Sequence, residues 1–479
     1  MVRKGKGESR DQGQHTSQSA KVRLPALPGD PLIFSRDEHN ISRKLIDPDA
    51  LKVMYRLINH GYQAFLVGGG VRDLLLGKKP KDYDVSTDAR PEEVKKLFRN
   101  CHIIGRRFKL AHIVFAGRKV IEVSTFRSTV EMESTKAADK PLRSDNTYGD
   151  PETDARRRDL TINGLFYDLS SFSVIDYVDG VRDLEDGVIR IIGDPEQRFK
   201  EDPVRMIRAI RHAARTGFAI DPATYQAICD HPERIELCAK PRVYEEFLRE
   251  MRHGASQASF RMLRETGILP YLCPFLAFVE ERDARWQRLE HVLEQFDLCF
   301  KHSQELNPSA LFATMAVAYL EAKSLIMHDQ EVGGINVAEV WSSAPLKGFY
   351  EHDFAVPTKF PDIDFTKYYH YIKNGYLRYF INRLFHQLGV SNKECERIEQ
   401  LLVLRMAMFE VYYGISKITG IETRQYLGEC LQFMKILSFD HYTEHCYRYW
   451  HNRCKDKLAG RKPEAGKPPR KRRRGPRRL

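Results

Sequence analysis

Apolar positions recur at helical spacing from Asp47 to Asn59 behind an Asp-Pro start, which predicts an amphipathic helix. A short apolar run, Ala64–Val67, then enters Gly68-Gly69-Gly70, and Val71–Leu76 return to helical spacing. Lys81–Thr87, Ala111–Phe115 and Val120–Phe126 predict strands, and Leu160–Leu169 and Ser173–Tyr177 resume the alternation. Thr129–Asp150 is polar and aperiodic and predicts a loop. From about Asp202 to Leu458 helical patterns dominate, with almost no strand signal and no fixed-period repeat. The longest apolar run, Ala310–Leu320, is closed by Glu321 and falls short of the ~18–20 residues of a membrane span, so it reads as a buried helix.

The pattern predicts an α+β chain, a small mixed sheet with helices followed by an all-α continuation. Its expected divisions are a polar, Pro-rich and largely disordered arm (1–40), a mixed head (41–196), a helical neck (197–285), a helical body (286–457) and a tail (458–479). At 479 residues with 42% hydrophobic and 11% aromatic content there is ample material for packed cores, which excludes a wholly disordered chain. The charged first residues lack an apolar segment behind them, so no secretory signal is expected. Nine scattered cysteines without a C-x-x-C pair support neither a disulfide scaffold nor a zinc ribbon, and the expected setting is a reducing cytoplasm.

The formal net charge of +12 is concentrated at the ends. Residues 461–479 carry ten Lys/Arg against one Glu and residues 1–24 carry six against two acids, which leaves the remainder close to neutral. A Pro/Gly/Arg segment has no apolar face to bury, and as a polycation its partner is a polyanion bound by counterion release. RNA or DNA fits that description better than a solubility tail or anionic lipid.

The chemistry concentrates between Phe65 and Val85, FLVGGGVRDLLLGKKPKDYDV. Glycines after a strand let the backbone approach a ligand, and the helix start that follows offers N–H groups to an anion. On a strand, Asp82 and Asp84 project from one side, and two carboxylates so placed need a cation, Mg²⁺ being suited to hard oxygen ligands and substrate phosphates. A solvated turn with two unrelated acids is the bland alternative. Glu122, within the apolar Val120–Phe126, is a third candidate acid, either facing a metal or proton or simply pointing outward from a strand.

Gly68-Gly69-Gly70-Val71-Arg72-Asp73, Asp82-x-Asp84, Arg157-Arg158-Asp159 and Glu201-Asp202-x-x-Arg205 together resemble the class II branch of the polymerase β-like nucleotidyltransferases, over roughly Ala64–Glu250. That branch holds bacterial poly(A) polymerases and tRNA CCA-adding enzymes. The phrase Gly105–His112 and the Arg-rich tail look more like the poly(A) subgroup. The resemblance implies a polymerase β-like catalytic head on the helical neck and body. It assigns Asp82 and Asp84 to two Mg²⁺ ions and Glu122 to the third acidic position, with Asp159 completing the carboxylates or orienting the nucleotide. Gly69, Gly70, Arg72 and Asp73 would hold the triphosphate and sugar of ATP, and Arg157 and Arg158 would reach phosphate or base. The implied reaction is untemplated transfer of AMP from ATP to 3′ ends of mRNA or other RNA, with tRNA CCA or A addition as the alternative. A catalytically silent RNA-binding factor on the same fold would have no need of these clustered acids.

Glu201–Arg215 reads as one helix with Pro203 in its first turn and a polar stripe of Glu201, Arg205, Arg208 and His212. A carboxylate beside a guanidinium imitates a base edge, Asp202 accepting from the adenine amino group and Arg205 donating to a ring nitrogen, with Arg208 a further base or phosphate contact. Arg242, Glu245 and Glu246 are expected to brace that helix. The aromatics of Asp440–Trp450 could stack bases or fill a helix core, the core being the commoner use.

Overall fold

The computed structural model describes residues 30–105, 109–128, 148–274, 284–302, 306–317, 376–412, 414, 417–438 and 441–458. The arm up to residue 29, Arg106–Phe108, nearly all of the predicted Thr129–Asp150 loop, the end of the Ala310–Leu320 run and the basic tail lie outside them.

Ten strands fall in chain order: β1 (Leu32–Phe34), β2 (Ala64–Val67), β3 (Asp84–Thr87), β4 (Cys101–Ile104), β5 (Leu110–Val114), β6 (Val120–Thr125), β7 (Leu165–Asp168), β8 (Ser173–Asp176), β9 (Val188–Ile189) and β10 (Ala219–Ile220). The first eight form one mixed sheet ordered β1-β8-β7-β2-β3-β6-β5-β4, and β9 and β10 pair separately in parallel. Residues 30–40, expected to belong to a disordered arm, thus supply an edge strand that pairs antiparallel with β8. Helices α1 (Pro48–Asn59), α2 (Gly69–Leu75), α3 (Pro91–Leu97), α4 (Pro151–Arg156) and α5 (Gly180–Asp186) belong to this head. Helix α1 starts as its sequence dictates, with the Asp47 carboxylate accepting from the Asp49 N–H at 2.8 Å and Pro48 opening the first turn.

The sheet has two unlike faces. Ala64, Leu66, Val85, Ile121 and Val123 join Val53, Met54 and Leu57 of α1 in the main core. The opposite face carries Phe65, Val67, Phe126 and Phe166 in a small cluster closed by Ala155 of α4. Since side chains alternate along a strand, Asp84, Ser86, Glu122 and Ser124 fall on this second face, and the 2.8 Å contact between the Ser86 and Ser124 hydroxyls fixes the register.

The neck helices follow as α6 (Pro195–Glu201), α7 (Val204–Thr216), α8 (Pro222–Asp230), α9 (Lys240–Met251), α10 (Ser256–Glu265) and α11 (Leu269–Leu272), and α12 (Ala284–Lys301) comes after them, almost wholly within the stretch expected to be the body. The single helix expected over Glu201–Arg215 is two. Glu201 closes α6, Asp202 is extended at φ −151° and ψ 88°, and α7 begins only after Pro203. Proline disfavours the α conformation of the residue before it, so the break belongs at Asp202. Phe247 meets Phe260 edge to face, stacks with Phe312 and ties the neck to the buried 310–317 segment, the described part of the predicted buried helix. In Asp440–Trp450 the core use prevails for Cys446 and Trp450, both buried, with the Trp450 indole donating to the Met408 carbonyl at 2.9 Å. Tyr449, 37% exposed, packs on Tyr412 and Trp450. No helix among the described residues is long and apolar enough to cross a membrane.

Candidate active site

The site forms where β2 ends, β3 begins and α4 covers the second face. Gly68, at φ +67°, turns the chain from β2 into α2, a conformation that favours glycine. A Cβ there would stand 3.1 Å from an Arg158 guanidinium nitrogen, so the turn and Arg158 pack directly. One at Gly70 would lie 3.5 Å from the Asp82 carbonyl oxygen, which brings the segment before β3 against the same turn.

Asp84 opens β3 opposite Val67, and Asp82 lies two residues before it, ahead of the strand rather than inside it. The Asp84 carboxyl is pushed up to about 6, first by desolvation and then by the facing Glu122 charge, with Asp82 adding to the repulsion and Arg158 opposing it. Glu122 and Asp82 thus both act on Asp84. Glu122 is not the buried strand acid of one reading. Its side chain is 48% exposed and stands 3.2 Å from His112 on the neighbouring strand, yet it lies on the Asp84 side of the sheet. Among the described residues no three His, Cys, Asp or Glu side chains converge into a ready metal cage. A pair of hard oxygen donors, Asp84 with its proton affinity raised, fits Mg²⁺ all the same, because that ion keeps waters and shares its shell with substrate phosphates.

Arg158 reaches the site because Asp154, only 1% exposed, holds it at 2.9 Å and Arg157 at 2.9 Å. The Arg158 guanidinium also donates to the Ser86 hydroxyl at 3.2 Å and lies over the Phe166 ring at 5.2 Å. Arg198 of α6 donates to the carbonyls of Arg157 and Arg158 at 2.8 and 2.7 Å and fixes the backbone that presents them. Asp154 and Arg198 escaped the sequence reading, although the D-x-x-R-R spacing on a helix is itself an ion-pair signal.

Several expected ligand contacts are instead joined in a buried seam between head and neck. Arg72 donates to Asp73 at 2.7 and 2.9 Å, to Asn163 at 2.7 Å and to the imidazole of His212 in α7 at 3.3 Å. Asp73 also meets Arg215 of α7 at 3.1 Å. Asp159 is buried against Arg208 at 2.8 Å and accepts from the Leu160 N–H, rather than joining the Asp82–Asp84 pair. Burial would raise its pKa, but the Arg208 guanidinium outweighs that and holds it below the usual carboxylate range. His212 is driven well down, by burial first and then by Arg72 and Arg211. The stripe read as a polar helix face is therefore internal at His212, while Arg208 is half-buried and turned to Asp159.

The base-edge pair is also differently arranged. Asp202 makes a bidentate contact with Arg242 of α9 at 2.9 and 2.8 Å, while Arg205 turns to the Arg198 carbonyl at 2.9 Å and Glu201 at 3.3 Å. The bracing expected of α9 is present, since Glu246 also meets Arg211 at 3.0 Å.

A family model described as the poly A polymerase head domain matches residues 64–190, and one described as a probable RNA and SrmB-binding site of polymerase A matches residues 217–279. The poly(A) polymerase I of Escherichia coli O6:H1 is 45% identical over 316 residues, which is 64% of this chain and 66% of that protein, just under two thirds of its length. That of Salmonella typhimurium is 44% identical over 322 residues, 62% of this chain and 69% of the relative. A CCA-adding enzyme of Lactobacillus helveticus is 36% identical over 217 residues, 45% of this chain and 53% of the relative. Among solved structures, a Bacillus stearothermophilus CCA-adding enzyme in complex with CTP shares the fold at a TM-score of 0.52 and 20% identity, covering 87% of this chain and 83% of that one. The glycine turn, the carboxylates beside it and the arginines above them all lie inside the matched head domain, and the chain belongs to the poly(A) polymerase family of nucleotidyltransferases.

Proposed function

We propose that this chain is a template-independent polynucleotide adenylyltransferase, which transfers AMP from ATP to RNA 3′-hydroxyl ends and releases pyrophosphate. The observation that carries the reading is the placing of Asp84, acted on by Glu122 and Asp82, at the strand start beside the Gly68 turn and the Arg158 guanidinium. The 45% identity to a poly(A) polymerase I, against 36% over a shorter stretch to a CCA-adding enzyme, favours poly(A) over CCA or A addition to tRNA. All nine cysteines are free, which fits a reducing cytoplasm.

Asp82 and Asp84 would hold two Mg²⁺ ions, with Glu122 in the third acidic position. When bound, such ions neutralise the departing pyrophosphate and ease loss of the proton from the attacking 3′-hydroxyl. Arg158, held by Asp154 and Ser86, is a preset cation for the triphosphate, so little reorganisation is needed on binding. The Gly69–Gly70 backbone lets phosphate approach closely, and Arg157 is the second cation of the clamp. Asp202 and Arg205 face the adenine edge, with Arg208 beside them. In the free chain Arg242 holds Asp202, and Arg205 is engaged with the Arg198 carbonyl, so the base must compete for both groups. Arg72, Asp73 and Asp159 serve the nucleotide indirectly, by fixing the glycine turn against α7.

ATP or CTP is offered separately to a generic RNA and to tRNA lacking its 3′ end. Long A-tracts on generic RNA are expected, and one or three additions confined to tRNA would replace this reading with the CCA one. Asp82→Ala is expected to abolish AMP incorporation while RNA retention stays nearly unchanged.

A further inference from the structure

The residue just before the carboxylate pair makes a contact that the nucleotide reading leaves unused. Lys81 adjoins Asp82, and its ammonium stands 4.1 Å from the ring centroid of Phe300, near the end of α12. A cation over an aromatic face is held by the ring quadrupole, so this lysine has a fixed seat. Phe300 reaches its position because residue 254 is a glycine at φ +74°. A Cβ there would lie 2.5 Å from the ring. Contacts therefore run from the turn after α9, through Phe300, to the residue next to Asp82.

Among the described residues no carboxylate lies within ion-pair distance of Lys81. Desolvation and then the Arg215 charge lower its pKa, while Asp82 and Asp73 attract it from farther off. Asp73 is already engaged by Arg72 and Arg215. Behind this group His253, 3.4 Å from an Arg211 nitrogen, is pushed down to about 3 by burial and then by Arg211, Arg215, Lys81 and Arg249. Glu246, the acid nearest these arginines, is held by Arg211 and Arg249. With the neighbouring arginines already paired, Lys81 is left as a cation at the edge of the site with no ion pair among the described residues, and such a charge raises the local concentration of an anion.

We propose that Lys81, seated on Phe300, binds a phosphodiester of the acceptor RNA close to its reacting 3′ end. This rests on the adenylyl-transfer reading and adds the place where the acceptor strand is held. Phosphate could come from the RNA or from ATP, and the surroundings favour the RNA. Arg158 serves Asp84, Ser86 and the Gly68 turn, whereas Lys81 faces Asp82, Asp73 and Arg215, so the two cations flank the pair through different partners. The support of Lys81 begins at Gly254, within the stretch that matches the RNA-binding model.

The test uses the full chain with Lys81→Gln, Lys81→Arg and Phe300→Leu, a fluorescent oligoadenylate without ATP, and steady-state KM for RNA and ATP. Lys81→Gln is expected to weaken RNA binding about three- to tenfold at ~0.1 M salt and to lower the slope of log affinity against log salt by about 0.7, one phosphate contact on a single strand. KM for ATP stays within about twofold, Lys81→Arg keeps the slope, and Phe300→Leu raises KM for RNA with the charge intact. An unchanged slope and RNA KM in Lys81→Gln would overturn the proposal. So would a rise confined to KM for ATP, which would assign the cation to the triphosphate. The binding measurement needs no turnover, so a wild type that retains RNA but transfers no nucleotide refutes the adenylyl-transfer reading alone.

Discussion

Replacing Asp154 by Asn tests whether Arg158 is a preset cation. The acid is 1% exposed and holds two arginines at 2.9 Å, whose side chains are 28% and 21% exposed. Removing one partner of a fully buried ion pair costs about 3–5 kcal/mol, because the remaining charge loses its compensation. Here water reaches part of each guanidinium, and the amide keeps one acceptor, so about 2–4 kcal/mol is the expected loss. At roughly 2–4 °C per kcal/mol for a unit of this size, the head transition falls about 4–16 °C. Burial acts first to raise the Asp154 pKa, but Arg158 and Arg157 outweigh it and leave the acid below its ordinary value of 3.8. Its stabilising contribution is therefore complete above that value and is lost as pH falls through the lower folded value, so the gap between wild type and variant closes only in acid. Calorimetry across pH reads the stability, and KM for ATP reads the cation, which should lose its position and raise KM severalfold. A melting temperature within 1–2 °C of wild type with an unaltered KM would refute the reasoning.

Glu122→Gln removes a facing charge from Asp84, whose midpoint should drop below about 6. The pH dependence of Mn²⁺ binding to the free chain reads this, and an unmoved midpoint would separate the two acids. Gly68→Ala forces a side chain into φ +67° and toward Arg158, so a loss of about 1–3 kcal/mol and a higher KM for ATP are expected, and a fully stable variant would contradict the close packing. Glu250 is completely buried beside Ser259, Arg211 and Glu246, and its carboxyl is raised to about 8, chiefly by burial. A carboxyl raised on folding contributes most below its unfolded value, and that contribution is lost as pH climbs toward 8. Glu250→Gln should therefore flatten the decline of melting temperature from about pH 5 to 8, and an identical slope would count against a neutral Glu250.

Most of the head was legible because its signals are local. Ala64–Val67 is an unbroken apolar run, all of it buried, and the glycines that end it sit where the strand becomes a helix. Val120–Thr125 alternates cleanly, which placed Glu122 on a strand before any face could be assigned to it. The strands β1 and β4 escaped because edge strands are half exposed and lack that alternation. The break at Asp202 is readable from Pro203, since proline disfavours the helical conformation of the residue before it even though it is tolerated in a first helical turn. The acids and arginines were harder, since their letters show charge but not partner. Arg72 meets residues 91 and 140 positions away, and Asp73 one that is 142 away.

That long-range pairing changes what the motifs mean. Arg72, Arg208 and Arg215 are set against Asp73 and Asp159 with a neutral His212 among them, so the seam is nearly charge-balanced, with Arg72, Asp73, Asp159 and His212 buried. A protonated His212 would face Arg72 and Arg211 as a third cation, and burial forbids the charge independently. The seam joins the glycine turn to the middle of α7, and the first turn of α7 carries Arg205 with Asp202 just ahead of it. The parts that would meet phosphate and base are thereby held in one rigid register. Displacement of about 1 Å can cost two orders of magnitude in rate, so a residue that touches no substrate can still decide whether transfer occurs. On the proposed reading Arg72, Asp73 and Asp159 serve the nucleotide only through such positions, so substitutions there should lower kcat and stability together, whereas loss of Asp82 should lower kcat alone.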